Sequence, residues 1–161
     1  MSKNTIITGV VILAVVIGLF SLSSFLSPNK KIIDRWNGLG VECLPNGHAN
    51  LAQHIHQRIR VIIDGVDTTV PANVGVLTNC LAEMHTHEGE PNLIHVESAE
   101  PLKEFSVRDF FGVWGESFDK PNMNVTVLLS GATTTEGGDL ILRDNQIVDV
   151  VYVGSSQEKA Q

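Results

Sequence analysis

Over residues 55–63 the chain alternates with a period of two, then turns back on itself, and no other stretch limits the fold as tightly. Ile55, Ile59, Val61 and Ile63 are apolar with Gln57 the exception, while His54, His56, Arg58 and Arg60 fill the alternate positions. Successive side chains of a strand point to opposite faces, so this is a half-buried strand with one apolar and one polar side. Asp64-Gly65 follows, a strong two-residue hairpin signal, because a type I′ turn needs positive φ at both central positions. Such a turn pairs Ile63 with Val66, Val61 with Thr68 and Ile59 with Val70. His54 and His56 then share the polar face with the two arginines.

All six histidines, His48, His54, His56, His85, His87 and His95, fall in one stretch of the chain. Histidine is the commonest protein metal ligand and titrates near neutral pH, so the clustering points to metal or proton chemistry. A second hairpin is readable here: Met84-His85-Thr86-His87 and Leu93-Ile94-His95-Val96-Glu97 flank five loop formers, Glu88-Gly89-Glu90-Pro91-Asn92. A five-residue loop sets His87 opposite Leu93, His85 opposite His95 and Glu83 opposite Glu97. Cross-strand Cβ atoms lie roughly 5 Å apart, so His85, His87 and His95 can converge on one ion. The convergence depends on parity, since a loop one residue longer or shorter sends His95 to the other face. His54 and His56 read as an auxiliary pair, and His48, after Asn46-Gly47, as an outlier. Glu97 is expected to orient an imidazole from outside the metal's own ligands, and Glu83 to be an ordinary exposed carboxylate.

Residues 106–114 read as the one clear helix. Ser106 suits the N-cap with Asp109 three residues on, Phe105 can staple against Phe110, and Gly115 suits the stop. Val107, Phe110, Phe111 and Trp114 fall at i, i+3, i+4 and i+7, an apolar stripe for packing on a sheet. Strand patterns return at 125–129, 140–142 and 147–153, with a turn at Asp144-Asn145. The expected fold class is α+β and β-rich: antiparallel hairpins forming a small sheet or sandwich, packed by one amphipathic helix.

Residues 5–26 carry no charge and are about as long as a bilayer-crossing helix requires. They read as an uncleaved membrane anchor, with a signal peptide cleaved near Ser21-Leu22-Ser23 as the alternative. A single hydrophobic segment before a compact domain places that domain on the extracytoplasmic side, although the flanking charges are nearly balanced. The chain of 161 residues thus divides into an N-terminal anchor at 1–29, a linker at 30–46, a globular β-rich domain at 47–154 and a polar tail at 155–161. All 18 acidic residues lie beyond the anchor and the formal net charge is −7, so the basic footprint that nucleic acid requires is missing.

Two cysteines, Cys43 and Cys80, are too far apart for a C-x-x-C motif. In an oxidising compartment the default is a disulfide, which stabilises by about 4 kcal/mol on the chain-entropy argument. Both cysteines begin a C-L-x-x-x-H pattern, ending at His48 and His85, which leaves a sulfur-ligated metal site as the lesser rival. Met84 precedes His85 and no methionine follows it closely, which argues against a blue-copper carrier.

The H-x-H pair, the Val70-Pro71-Ala72-Asn73-Val74-Gly75 turn, the C-x4-H-T-H segment ending at His87, Ile94-His95-Val96-Glu97-Ser98 and the helix around Phe110-Phe111-x-x-Trp114-Gly115 come in a characteristic order. Over residues 47–154 the chain resembles an uncharacterised family of small, membrane-anchored, extracytoplasmic proteins. It departs from that pattern at Glu88, where aspartate is expected, and at Pro91-Asn92. The resemblance implies an extracytoplasmic domain and no particular activity.

Three function classes follow. The leading one is a membrane-tethered domain that binds a transition metal, copper or zinc, through His85, His87 and His95 with help from His54 and His56. The alternative is a non-catalytic interaction or assembly module at the membrane surface, with a structural histidine cluster and a protein partner. The third is a His-ligated zinc or copper enzyme using Glu97 or Glu88 as general base. The sequence leans against an enzyme, since it contains no G-x-S-x-G, Gly-rich phosphate loop or H-E-x-x-H.

Overall fold

The computed structural model describes residues 28–155. The expected transmembrane helix and nearly all of the polar tail lie outside the described residues; among those described, no helix is long and apolar enough to cross a membrane. The chain divides into two units, Met1–Asp34 and Arg35–Gln161, and the second carries the sheet and the site. In chain order the elements are helix α1 (Pro28–Gly38), strands β1 (Pro45–His48), β2 (Gln53–Ile63), β3 (Val66–Thr68), β4 (Val76–Leu77), β5 (Cys80–Leu81), β6 (Met84–His85) and β7 (Leu93–Ser98), helix α2 (Val107–Trp114), strands β8 (Met123–Leu129) and β9 (Ala132–Thr133), a 3-10 turn (Gly137–Asp139) and strand β10 (Ile147–Gly154).

Seven strands form one sheet in the order β6-β7-β2-β10-β8-β9, with β3 also paired to β2, and β4 with β5 makes a separate ribbon. The long strand β2 organises it: one edge takes β7 along its first half and β3 along its second, and the other edge takes β10. The first hairpin has the expected register, Ile63 opposite Val66 and Val61 opposite Thr68. Asp64 (φ 48°) and Gly65 (φ 81°) supply the two positive angles of the turn. The expected third pair does not form. β3 stops at Thr68, the Ile59 N–H donates to the Asn92 carbonyl at 2.9 Å, and Asn92 Oδ1 accepts from the Val70 N–H at 2.9 Å.

The second hairpin also keeps its register, His85 opposite His95 and Met84 opposite Val96. Its connection runs over residues 86–92, two longer than expected. Thr86 leaves the ladder because its backbone pairs with Asn73 and Val74, and its hydroxyl donates to the Pro71 carbonyl and accepts from the Val74 N–H. Two extra residues preserve parity, so His95 stays on the face the shorter loop predicts.

The sheet is mixed, which corrects the expectation of antiparallel hairpins alone. β10 runs parallel to β2, Ile59 beside Val148 and Val61 beside Val150, and antiparallel to β8. The strand expected at 140–142 does not join this sheet. Its groups bond to the approach to α2, with the Val107 N–H donating to the Leu140 carbonyl (3.0 Å) and the Leu142 N–H to the Phe105 carbonyl (2.9 Å).

One face of the sheet is the core. Ile59, Val61, Ile94, Val96, Val148, Val150 and Tyr152 are buried on it, each aliphatic side chain contributing about 1.5–3 kcal/mol. Helix α2 covers this face, with Phe111 6.4 Å from Tyr152. It begins in the expected Ser106/Asp109 capping box and ends at Gly115 with φ 92°. Among the described residues two α-helices are present, where a single helix was expected after the anchor. Trp36 of α1, only 2% exposed, donates its indole N–H to the Val113 carbonyl at 3.1 Å, so Val113 is buried beside the predicted stripe.

Candidate metal centre

The opposite face of the sheet carries the histidines. Because β6, β7 and β2 are neighbours, His85 lies opposite His95 and His95 opposite His56, a single row across three strands. Strands stand about 4.8 Å apart, and the ring centroids follow at 5.4 Å for His85–His95 and 4.7 Å for His56–His95. Two residues further along, Glu97 pairs with His54. His87 comes from the loop, its ring 4.7 Å from those of both His85 and His95.

His48 arrives by a different route. The Cys43–Cys80 disulfide, as expected, joins the two cysteines (Cα–Cα 5.2 Å), and the Leu44 N–H donates to the Leu81 carbonyl. These contacts lay the segment leading to His48 beside the one leading to His85, and the His48 ring ends 5.4 Å from His85 and 5.3 Å from His87. The sequence outlier is therefore part of the cluster. His54 and His56, 4.6 Å apart, join it through His95. All six imidazoles are connected.

Among the described residues, three sets of side chains each bring their donor atoms within 4.8 Å of one another and can hold a metal ion: His48, His85 and His87; His54, His56 and His95; and His85, His95 and Glu97. Sequence reasoning placed Glu97 outside the ligands, whereas its carboxylate belongs to the third set. Glu88 is exposed in the loop and outside all three.

The buried members are arranged as ligands. His85 is fully buried, and its Nδ1–H donates to the Ala82 carbonyl at 2.9 Å, which leaves the Nε2 lone pair 3.1 Å from His87 Nε2. Burial pushes the His85 pKa down to about 3, with the neighbouring His87, His95 and His48 adding to the effect and the Ala82 bond opposing it. The ring is neutral at pH 7, the form that binds metals. His95 is lowered as well, mainly by burial, against the bond its Nε2 makes to Glu90 Oε2 at 2.8 Å. That same bond holds the Glu90 carboxyl below its ordinary range.

Glu97, 1% exposed in its side chain, has Oε2 2.8 Å from His48 Nδ1 and Oε1 3.1 Å from His54 Nε2. The Oε1 contact is close enough for an ion pair but lacks hydrogen-bond geometry, so this oxygen and His95 Nδ1 are buried without a hydrogen-bond partner. Glu83, expected to be exposed, is buried and saturated: it accepts from Ser98 Oγ, Lys103 Nζ and the Glu42 N–H. These bonds tie the residue before β6 to Ser98, Lys103 and the Glu42 backbone.

Gly75 was not singled out as a site residue. A Cβ there would stand 2.2 Å from the Met84 carbonyl oxygen and 3.1 Å from His85 Cα, and its φ is 74°. It presses directly behind His85, and its place in the Pro71–Gly75 turn was the available signal. No protein-family model, curated protein or solved structure matches the chain.

Proposed function

We propose that this domain binds a transition metal, copper or zinc, through its histidine cluster, tethered by its N-terminal segment on the extracytoplasmic side of a membrane, and that it stores or delivers the metal. The observation that carries the reading is the pair of buried atoms turned into the cluster without a hydrogen-bond partner, Glu97 Oε1 and His95 Nδ1. A metal-free hydrogen-bonded cluster, the structural reading for an interaction module, draws support from the His48–Glu97 and His95–Glu90 bonds. It leaves His95 Nδ1 without a hydrogen-bond partner, at about 1–3 kcal/mol, and Glu97 Oε1 with ion-pair contacts to His54 and His95 alone. A cation satisfies both at once. Imidazole with one carboxylate suits copper and zinc, the disulfide fits an oxidising compartment, and the uncharged segment at residues 5–26 supports the tether.

The test is direct. The full chain, purified in mild detergent, is stripped with a chelator and dialysed against zinc or copper. Stoichiometric metal is expected in the wild type, with a large loss in the His85→Ala, His87→Ala double variant. Wild-type protein that retains no metal would sink the proposal and leave the interaction module standing.

A further inference from the structure

We propose that the centre takes two transition-metal ions, each held by three imidazoles, with the Glu97 carboxylate shared between them. This rests on the metal-binding reading above and adds the number of ions and the ligands of each. The two all-histidine sets have no member in common: His48, His85 and His87 form one, His54, His56 and His95 the other. Two nitrogens on one zinc are about 3.3 Å apart in a tetrahedron and at most about 4.1 Å apart in any geometry. Donors already within 4.8 Å therefore close on an ion with small side-chain shifts. The His85–His87 pair, at 3.1 Å, has the spacing already. One four-coordinate ion cannot use six imidazoles, whereas six nitrogens and two carboxylate oxygens fill two such shells.

Glu97 stands between the sets. Its Oε2 faces His48 of the first at 2.8 Å, and its Oε1 faces His54 and His95 of the second at 3.1 and 4.0 Å. Among the described residues only histidines pair with it, and Lys103 is engaged by Glu83. A carboxylate this buried needs positive charge beside it. The bond from His95 Nε2–H to Glu90 leaves the lone pair on Nδ1, the atom nearer Glu97. Ions in two-metal sites stand about 3.5–4 Å apart, a gap one carboxylate spans. The remaining set, His85, His95 and Glu97, borrows one histidine from each triad and is where a single ion would sit instead.

The experiment counts ions and asks whether they sense each other. Full-length protein in detergent is stripped, saturated separately with Zn(II) and Cu(II), and counted by native mass spectrometry; the copper form is examined by electron paramagnetic resonance. Two ions per chain are expected, with a spin-coupled copper spectrum showing a half-field transition. The His48→Ala, His87→Ala and the His54→Ala, His56→Ala variants, which change none of the fully buried rings, should each keep one ion and give an uncoupled spectrum. Glu97→Gln, which removes the anionic charge between the two ions, should lower the copper count from two to one and leave an uncoupled spectrum. One ion per wild-type chain would overturn the two-ion centre while leaving metal binding intact, and no ion would overturn both. Two ions that are uncoupled in the wild type would overturn the shared carboxylate. The wild-type count and spectrum need no variant to fold.

Discussion

His85 is a histidine that neutral pH does not charge, and its stability effect follows from that. Its pKa in the folded protein is about 3, below the ordinary value of 6.5, so between those values the unfolded chain binds a proton that the folded chain refuses. Acid therefore favours unfolding: stability is full above about pH 6.5 and falls as the pH drops towards 3, by at most about 5 kcal/mol from this residue. His95, also lowered, acts in the same direction. Melting temperatures of chelator-treated protein should decline steadily from pH 7 to pH 4, and His85→Gln should flatten that decline. Gly75 makes a second prediction at this scale. Gly75→Ala places a methyl group in left-handed backbone against the Met84 carbonyl, so it should cost about 3 kcal/mol in chemical denaturation. It should also weaken metal retention, because the strand that moves carries His85.

At the scale of elements, the two hairpins were legible because their determinants are local. Asp64-Gly65 fixes one register, and an odd-length connection fixes the parity of the other whether it holds five residues or the seven observed. The α2 boundaries were legible for the same reason, since the Ser106/Asp109 box and Gly115 lie within a turn of the ends. His48 was not legible. Its place depends on the disulfide and on pairing between segments almost forty residues apart, and the repeated C-L-x-x-x-H pattern was the one trace of that pairing. Helix α2 and the histidines occupy opposite faces, which separates the helix cap from the proposed ligands. Ser106→Ala should lower unfolding free energy by about 1 kcal/mol, measured by urea titration, with metal stoichiometry unchanged.

For the molecule as a whole, the insertion of β10 between β2 and β8 was beyond sequence reasoning, because an alternating or continuous apolar run does not state whether its neighbour is parallel. The disulfide acts at this scale too. Replacing Cys43 and Cys80 with serine should cost about 4 kcal/mol. Metal binding should also weaken more than it does in the Ser106 variant, since the arm carrying His48 loses its covalent tie to the arm carrying His85. On the proposed reading, the row formed by His56, His95 and His85 bears on which metal duty this scaffold would suit. Its spacing is set by the hydrogen-bonded ladder of three strands, so the donors wait in position and an arriving ion has little backbone to reorganise. A sensor must offer its partner two shapes; if the proposed metal binding holds, a rack of imidazoles with this fixed spacing offers one, full or empty, and suits a reservoir from which cargo is handed on.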